Sequence, residues 1–134
     1  MPRLATAHRG RRRILSYIGL ALLLLIIPVK LIRYGSAAGQ VLVGVAPSVL
    51  GPSGLLFIVS SSRGRLSQLT VPQLAILVGA ASIGLELAQL LPRPGILERV
   101  HYTFDISDLI ATAVSVSISA LVVGVVLRGG RTAA

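Results

Sequence analysis

Apolar residues in this chain come in four long runs rather than in short alternating or helix-periodic patches. The first extends from Ile14 to Ile27 and continues past Pro28 to Ile32, with Lys30 inside it. The second, Val41 to Ser60, carries no charge but is punctuated by Gly44, Pro47, Gly51, Pro52 and Gly54. The third runs from Val71 to Leu91, with Pro72 in its first turn, where a proline costs little. It stops at Leu91-Pro92-Arg93-Pro94-Gly95, a strong termination signal. The fourth runs from about Ile106 to Leu127, and Gly129-Gly130 terminates it. Each run approaches the roughly 20 residues needed to cross a bilayer as a helix. The fourth, rich in Val, Ser and Ala, would suggest a strand in water. In lipid only helices and closed barrels satisfy their backbones, so it reads as a helix. The expected fold is an all-α integral membrane protein with four transmembrane helices, the second interrupted by proline and glycine. A basic cytoplasmic tail over residues 1–13 precedes the membrane domain, 14–127, and a short cytoplasmic tail over 128–134 follows it.

Two other readings of the runs compete with this one. The basic head, the first apolar run and the small residues Ser36-Ala37-Ala38 resemble a signal peptide with its cleavage site. That run is long for a signal core, however, and Lys30 and Arg33 lie between it and the small residues. An uncleaved first helix is the better fit. The second run could instead be a re-entrant loop, since irregular backbone survives in lipid when it is buried against protein. Charge decides between loop and span. If all four runs span, Arg3, Arg9, Arg11, Arg12, Arg13, Arg63, Arg65, Arg128 and Arg131 lie inside, nine against Lys30, Arg33, Arg93 and Arg99 outside. If the second is re-entrant, the later spans invert and the count is seven against six. Four spans with both termini cytoplasmic is the expected topology, in a bacterial inner membrane.

Composition narrows the chemistry. The chain has 134 residues, 54% apolar and 13% charged, with a net charge of +9. In a water-soluble protein that excess would point to nucleic acid, but here it sits between the apolar runs and reads as topology information. There is no Cys, which removes disulfides, thiolate metal sites and a Cys nucleophile together. Gly-rich phosphate loops, HExxH, GxSxG and CxxC are all missing. His8 lies in the basic head, and neither it nor His101 has a metal-ligand partner at i+3 or i+4.

The acids are the informative residues. All four, Glu86, Glu98, Asp105 and Asp108, fall in one 23-residue window, from 86 to 108. Glu86 lies five residues before the end of the third run, about 7 Å deep at helical rise. An ionisable residue there is costly and is a functional hypothesis by default. Gly79, Ser82, Glu86 and Gln89 follow in steps of 3, 4 and 3, one stripe of a helix. Asp105, Asp108, Thr112, Ser115 and Ser119 follow in steps of 3, 4, 3 and 4, a matching stripe on the fourth helix. Two such seams are expected to pack against each other in an antiparallel pair, with Val116 off the interface. That would bring Glu86 and Gln89 near Asp105 and Asp108, with Arg93 and Arg99 as counter-charges. The simpler reading is that these groups only glue two helices together. Lys30 and Arg33 are expected to snorkel to the interface, and Tyr34, His101, Tyr102 and Phe104 to anchor there. His101, four residues from Asp105, could also carry a proton.

The string Glu86-Leu87-Ala88-Gln89, a loop, and then Phe104-Asp105-Ile106-Ser107-Asp108-Leu109 resembles the signature of VanZ-like membrane proteins. That family shows a Glu-x-x-Gln pair, a loop Arg and an Asp-x-x-Asp pair opening the last helix. An Asn and two Gly residues follow, at positions held here by Thr112, Ser115 and Ser119. The family's loop arginine corresponds to Arg93 or Arg99. Ala46-Pro47-Ser48 sits where some members carry a Pro-Ser turn. The resemblance covers about 30 residues closely and the four-span layout loosely. It implies a cell-envelope role, the family being named for a protein associated with teicoplanin resistance, and carries over Glu86, Gln89, Asp105 and Asp108 as site residues.

The expected function is therefore a non-enzymatic envelope or interaction protein. Its outer-leaflet acidic cluster would meet membrane lipids, an envelope lipid or a lipoglycopeptide, with no nucleic acid and no cofactor. The alternative is a small membrane enzyme or transporter-like protein using Glu86, Asp105 and Asp108 as acid/base groups or as a site for Mg²⁺ or Ca²⁺. The residues leave the question of catalysis and the oligomeric state open.

Overall fold

The computed structural model describes residues 2–35, 40–88 and 105–128. Four helices make up nearly all of this: α1 (Pro2–Gly35), α2 (Gln40–Ser61), α3 (Val71–Ala88) and α4 (Ile106–Arg128). One 3-10 turn, Arg65–Gln68, lies between α2 and α3. Each helix contains a window long and apolar enough to span a membrane, at Gly10–Ile32, Gly44–Ser61, Val71–Ala88 and Ile106–Arg128. The four-helix membrane fold expected from the apolar runs is the fold observed.

Two elements differ in detail from the sequence pattern. The basic residues before Ile14 are helical too, since α1 begins at Pro2 and runs on into the first apolar window. The second helix, for all its prolines and glycines, runs unbroken from Gln40 to Ser61 through Pro47 and Pro52. Each proline removes a backbone donor and crowds the preceding turn. In lipid such gaps persist where neighbouring helices cover them. Helix α2 has that cover: it packs against α1, α3 and α4, and Pro52 itself is buried.

Its closest neighbour is α1. Gly19 and Gly54 meet at this crossing with backbones nearly touching. A Cβ on Gly19 would lie 2.7 Å from the Gly54 carbonyl oxygen, and a Cβ on Gly54 2.8 Å from the Gly19 carbonyl oxygen. Only a residue without a side chain fits, the small-residue packing by which membrane helices gain close contact without a hydrophobic driving force. On its other faces α2 contributes to two apolar clusters. Leu56 packs with Leu74 and Val78 of α3 and Val116 of α4, and Phe57 packs with Leu15 of α1 and Val123 of α4. The proline-rich helix is the hub.

The bundle has a basic end, and helix termini converge there. Arg11 donates to the Val126 carbonyl at 3.1 Å, and Arg12 to the Ser62 carbonyl at 3.4 Å. Both acceptors lie at the C-terminal ends of α4 and α2, where carbonyls lack helical partners and the dipole favours cations. The start of α3 follows by way of Gly64, whose φ of 91° suits glycine. Gln73 supplies half of a capping box: its side-chain oxygen accepts from the Thr70 N–H at 2.8 Å and from the Thr70 hydroxyl at 3.0 Å.

Candidate functional site

At the opposite end α2, α3 and α4 meet on one residue, Ser48. Its hydroxyl donates to Glu86 Oε1 in a long hydrogen bond of 3.4 Å. Its carbonyl accepts from the Thr112 hydroxyl at 3.2 Å. Ser48 and Thr112 are buried and Glu86 is half-buried. The Ser48 carbonyl is available because helix carbonyls have a second lone pair, and a hydroxyl from a neighbouring helix is the natural partner for it in lipid. Ser115 continues the chain of contacts, donating to the Thr112 carbonyl at 3.0 Å.

This arrangement adds α2 to the expected packing of α3 on α4. The α4 stripe is buried as anticipated at Thr112, Ser115 and Ser119. Thr112, however, spends its hydrogen bond on α2. At Gly79 the α3 seam meets Val116 of α4, whose Cγ1 lies 3.8 Å from where a Cβ on Gly79 would sit. Val116, expected off the interface, is buried in the cluster it shares with Leu56, Leu74 and Val78. The physical reason is that α2 supplies a third polar surface which pairwise reading of α3 and α4 leaves out. Stepping by four from Ser48 through Pro52 and Leu56 to Ser60 traces a stripe that is buried throughout. That stripe was the available signal for α2, and the Pro47-Ser48 pair marked its polar end.

Asp105 and Asp108 lie toward the N-terminal end of α4 from Thr112. Asp108 is half-buried in the first turn of α4, and Asp105 is exposed just before it. Asp105 caps the helix: its Oδ1 accepts from the Ser107 N–H at 2.9 Å, and its carbonyl accepts from the Asp108 N–H at 3.0 Å. The Ser107 backbone N–H, with help from its hydroxyl, lowers the Asp105 carboxyl below its ordinary 3.8. Capping is a sufficient account of this residue. Ser82 is half-buried on the α3 seam. Gln89, Arg93, Arg99 and Glu98 lie outside the described residues, as do His101, Tyr102, Phe104 and the side chains of His8, Arg33 and Tyr34. Among the described residues no group of three or more His, Cys, Asp or Glu side chains could hold a metal ion.

Fold and site together define a multi-pass membrane protein whose polar interior centres on a Ser-Glu-Thr node shared by three helices. Comparison with protein-family models, curated proteins and solved structures finds no match for the chain.

Proposed function

We propose that the chain is a VanZ-like protein of the bacterial cell membrane that acts in the cell envelope through the Ser48-Glu86-Thr112 node. The observation that carries this reading is the Glu86 carboxylate, set within an apolar span and bonded to a buried serine of another helix. Glue between helices is made more cheaply by hydroxyls, as Thr112 illustrates on the Ser48 carbonyl, so a carboxylate at that depth speaks for a working group. That Ser48 belongs to the Pro-Ser pair of the family resemblance adds support. Arg11, Arg12, Arg13, Arg63, Arg65 and Arg128 favour a cytoplasmic basic end under the positive-inside rule. The node then faces the outer leaflet. There a hydroxyl or ammonium group of an envelope lipid or a teicoplanin-type lipoglycopeptide would bond to Glu86, with Asp108 closer to water.

The test replaces Glu86 with Gln in a strain lacking the endogenous gene and measures susceptibility to a lipoglycopeptide. The amide keeps shape and hydrogen bonding while removing the charge. Glu86→Gln is expected to insert and melt like wild type but lose protection, as is Asp108→Asn, whereas Glu98→Gln retains it. Full protection by Glu86→Gln and Asp108→Asn overturns the reading. Orientation is checked with an impermeant thiol reagent on intact cells: Ser107→Cys should react and Ser67→Cys should not.

A further inference from the structure

The basic end carries a feature that the Glu86 node does not use. Between α3 and α4 a groove of about 860 Å³ opens along the bundle surface. Its floor and walls are made by Ala75 and Ile76 of α3 and by Ala120, Leu121 and Gly124 of α4. Gly124 helps to create the space, since a Cβ there would meet nothing within 4 Å. The two helices touch at Gly79 and Val116, and the groove lies beyond that contact, toward Arg128. From Val116 to Arg128 is twelve residues, about 18 Å at helical rise. A hydrocarbon core is roughly 30 Å thick, so the groove has about the depth of one leaflet.

Its charged rim decides what fits. Arg12 and Arg128 line it at the basic end, and Arg12 Nε is buried with no hydrogen-bond partner among the described residues. All four acids of the chain lie between residues 86 and 108, so none belongs to the segments that build this end. Two guanidiniums over an apolar slot one leaflet deep match an anionic headgroup with an acyl chain below it. Its volume falls within the roughly 300–1,000 Å³ typical of small-molecule sites, and basic pockets between transmembrane helices are where anionic lipids bind.

We propose that this groove is a binding site for one anionic glycerophospholipid, its phosphate on Arg12 and Arg128 and one acyl chain between α3 and α4. The site is independent of the Glu86 node and lies at the other end of the molecule.

Native mass spectrometry of the full-length protein, delipidated and titrated with lipid, tests it. Phosphatidylglycerol, phosphatidylcholine with the same chains, and glycerol 3-phosphate are the probes. One phosphatidylglycerol is expected to bind at least tenfold more tightly than phosphatidylcholine, while glycerol 3-phosphate neither binds nor competes. Arg128→Gln should cut the phosphatidylglycerol affinity about fivefold, and Arg12→Gln should do at least as much. Gly124→Leu should fill the slot and abolish retention of that single lipid. Equal binding of the two lipids overturns the proposal. So does unchanged phosphatidylglycerol binding in Gly124→Leu, which would mean attraction to surface charge alone, and so does effective competition by glycerol 3-phosphate.

Discussion

At the basic end of the bundle, Arg11 and Arg12 reach carbonyls at the ends of α4 and α2. At the acidic end, Ser48, Glu86 and Thr112 meet between helices, inside the bundle. The same need, partners for polar groups in a medium without water, is met at helix termini in one place and across helix faces in the other. Long, flexible guanidinium side chains can satisfy a terminus from a distance and leave a groove open beside it. Short hydroxyls can act only where helices already touch, so they demand close packing and yield a closed node. Guanidiniums at the basic end thus keep donors that can meet lipid, while at the acidic end the Ser48 and Thr112 hydroxyls are committed inside the bundle and the Glu86 carboxylate alone keeps acceptor capacity.

The two ends can be uncoupled through α1, which supplies Arg11 and Arg12 but no residue of the node. Gly54→Ala forces a Cβ to within 2.8 Å of the Gly19 carbonyl oxygen. Overpacking of this kind costs about 1–3 kcal/mol, read as unfolding in mixed micelles. The arginine contacts with α2 and α4 should loosen. Thiol cross-linking between Ser48→Cys and Thr112→Cys in the same background should persist; its loss would show that the ends are one cooperative unit.

Thr112→Val keeps the shape and removes the donor to the Ser48 carbonyl. Interhelical hydrogen bonds in membranes average about 0.6 kcal/mol and reach about 1.7, and a fully buried hydroxyl should lie toward the upper figure. The same change at Ser117, which is exposed and bonded only to its own helix, should be silent. Equal effects at the two positions would remove the distinction between node and surface.

At the mouth of α4, Asp105→Ala should lower the melting temperature through loss of the cap, and Asp105→Asn should lower it much less. Because the folded carboxyl is held below 3.8, its contribution is complete above that value and disappears as pH falls through the lower folded one. Wild type should lose stability relative to Asp105→Asn only below about pH 4, a difference that melting curves at pH 3 and pH 6 would measure. The smallest effect is expected at the basic end: Arg11→Gln should cost about 0.3–1 kcal/mol, the usual worth of a cation at a helix C-terminus, and should shrink in high salt. A salt-independent loss would place that arginine in the closed regime of the node.

How much of this was legible in the chain depends on the range of the interaction. The four spans were readable because bilayer thickness translates directly into run length, and Gln40–Ser61 and Ile106–Arg128 match their apolar runs within a residue at either end. The burial of Thr112, Ser115 and Ser119 was readable because a helical stripe is a local property. The cap at Asp105 was in reach too, as an Asp one residue before an apolar run. Neighbour choice was not. Helix spacing says which residues share a face, but not which of three helices that face will meet. Two matched stripes on α3 and α4 suggested a pair, and the serine of α2 that joins Glu86 through its hydroxyl to Thr112 through its carbonyl came from a helix read mainly for its prolines. The Gly19–Gly54 contact is likewise invisible along the chain, since neither glycine announces its partner 35 residues away. Sequence by itself determined the four apolar helices and the buried polar stripe of α4, because these follow from residue-by-residue transfer between water and lipid. Only the tertiary structure decided that α2 is the hub, that the node has three helices rather than two, and that α3 and α4 part at the basic end. Those outcomes depend on how closely pairs of backbones can approach, which is a property of surfaces in contact and not of any one helix.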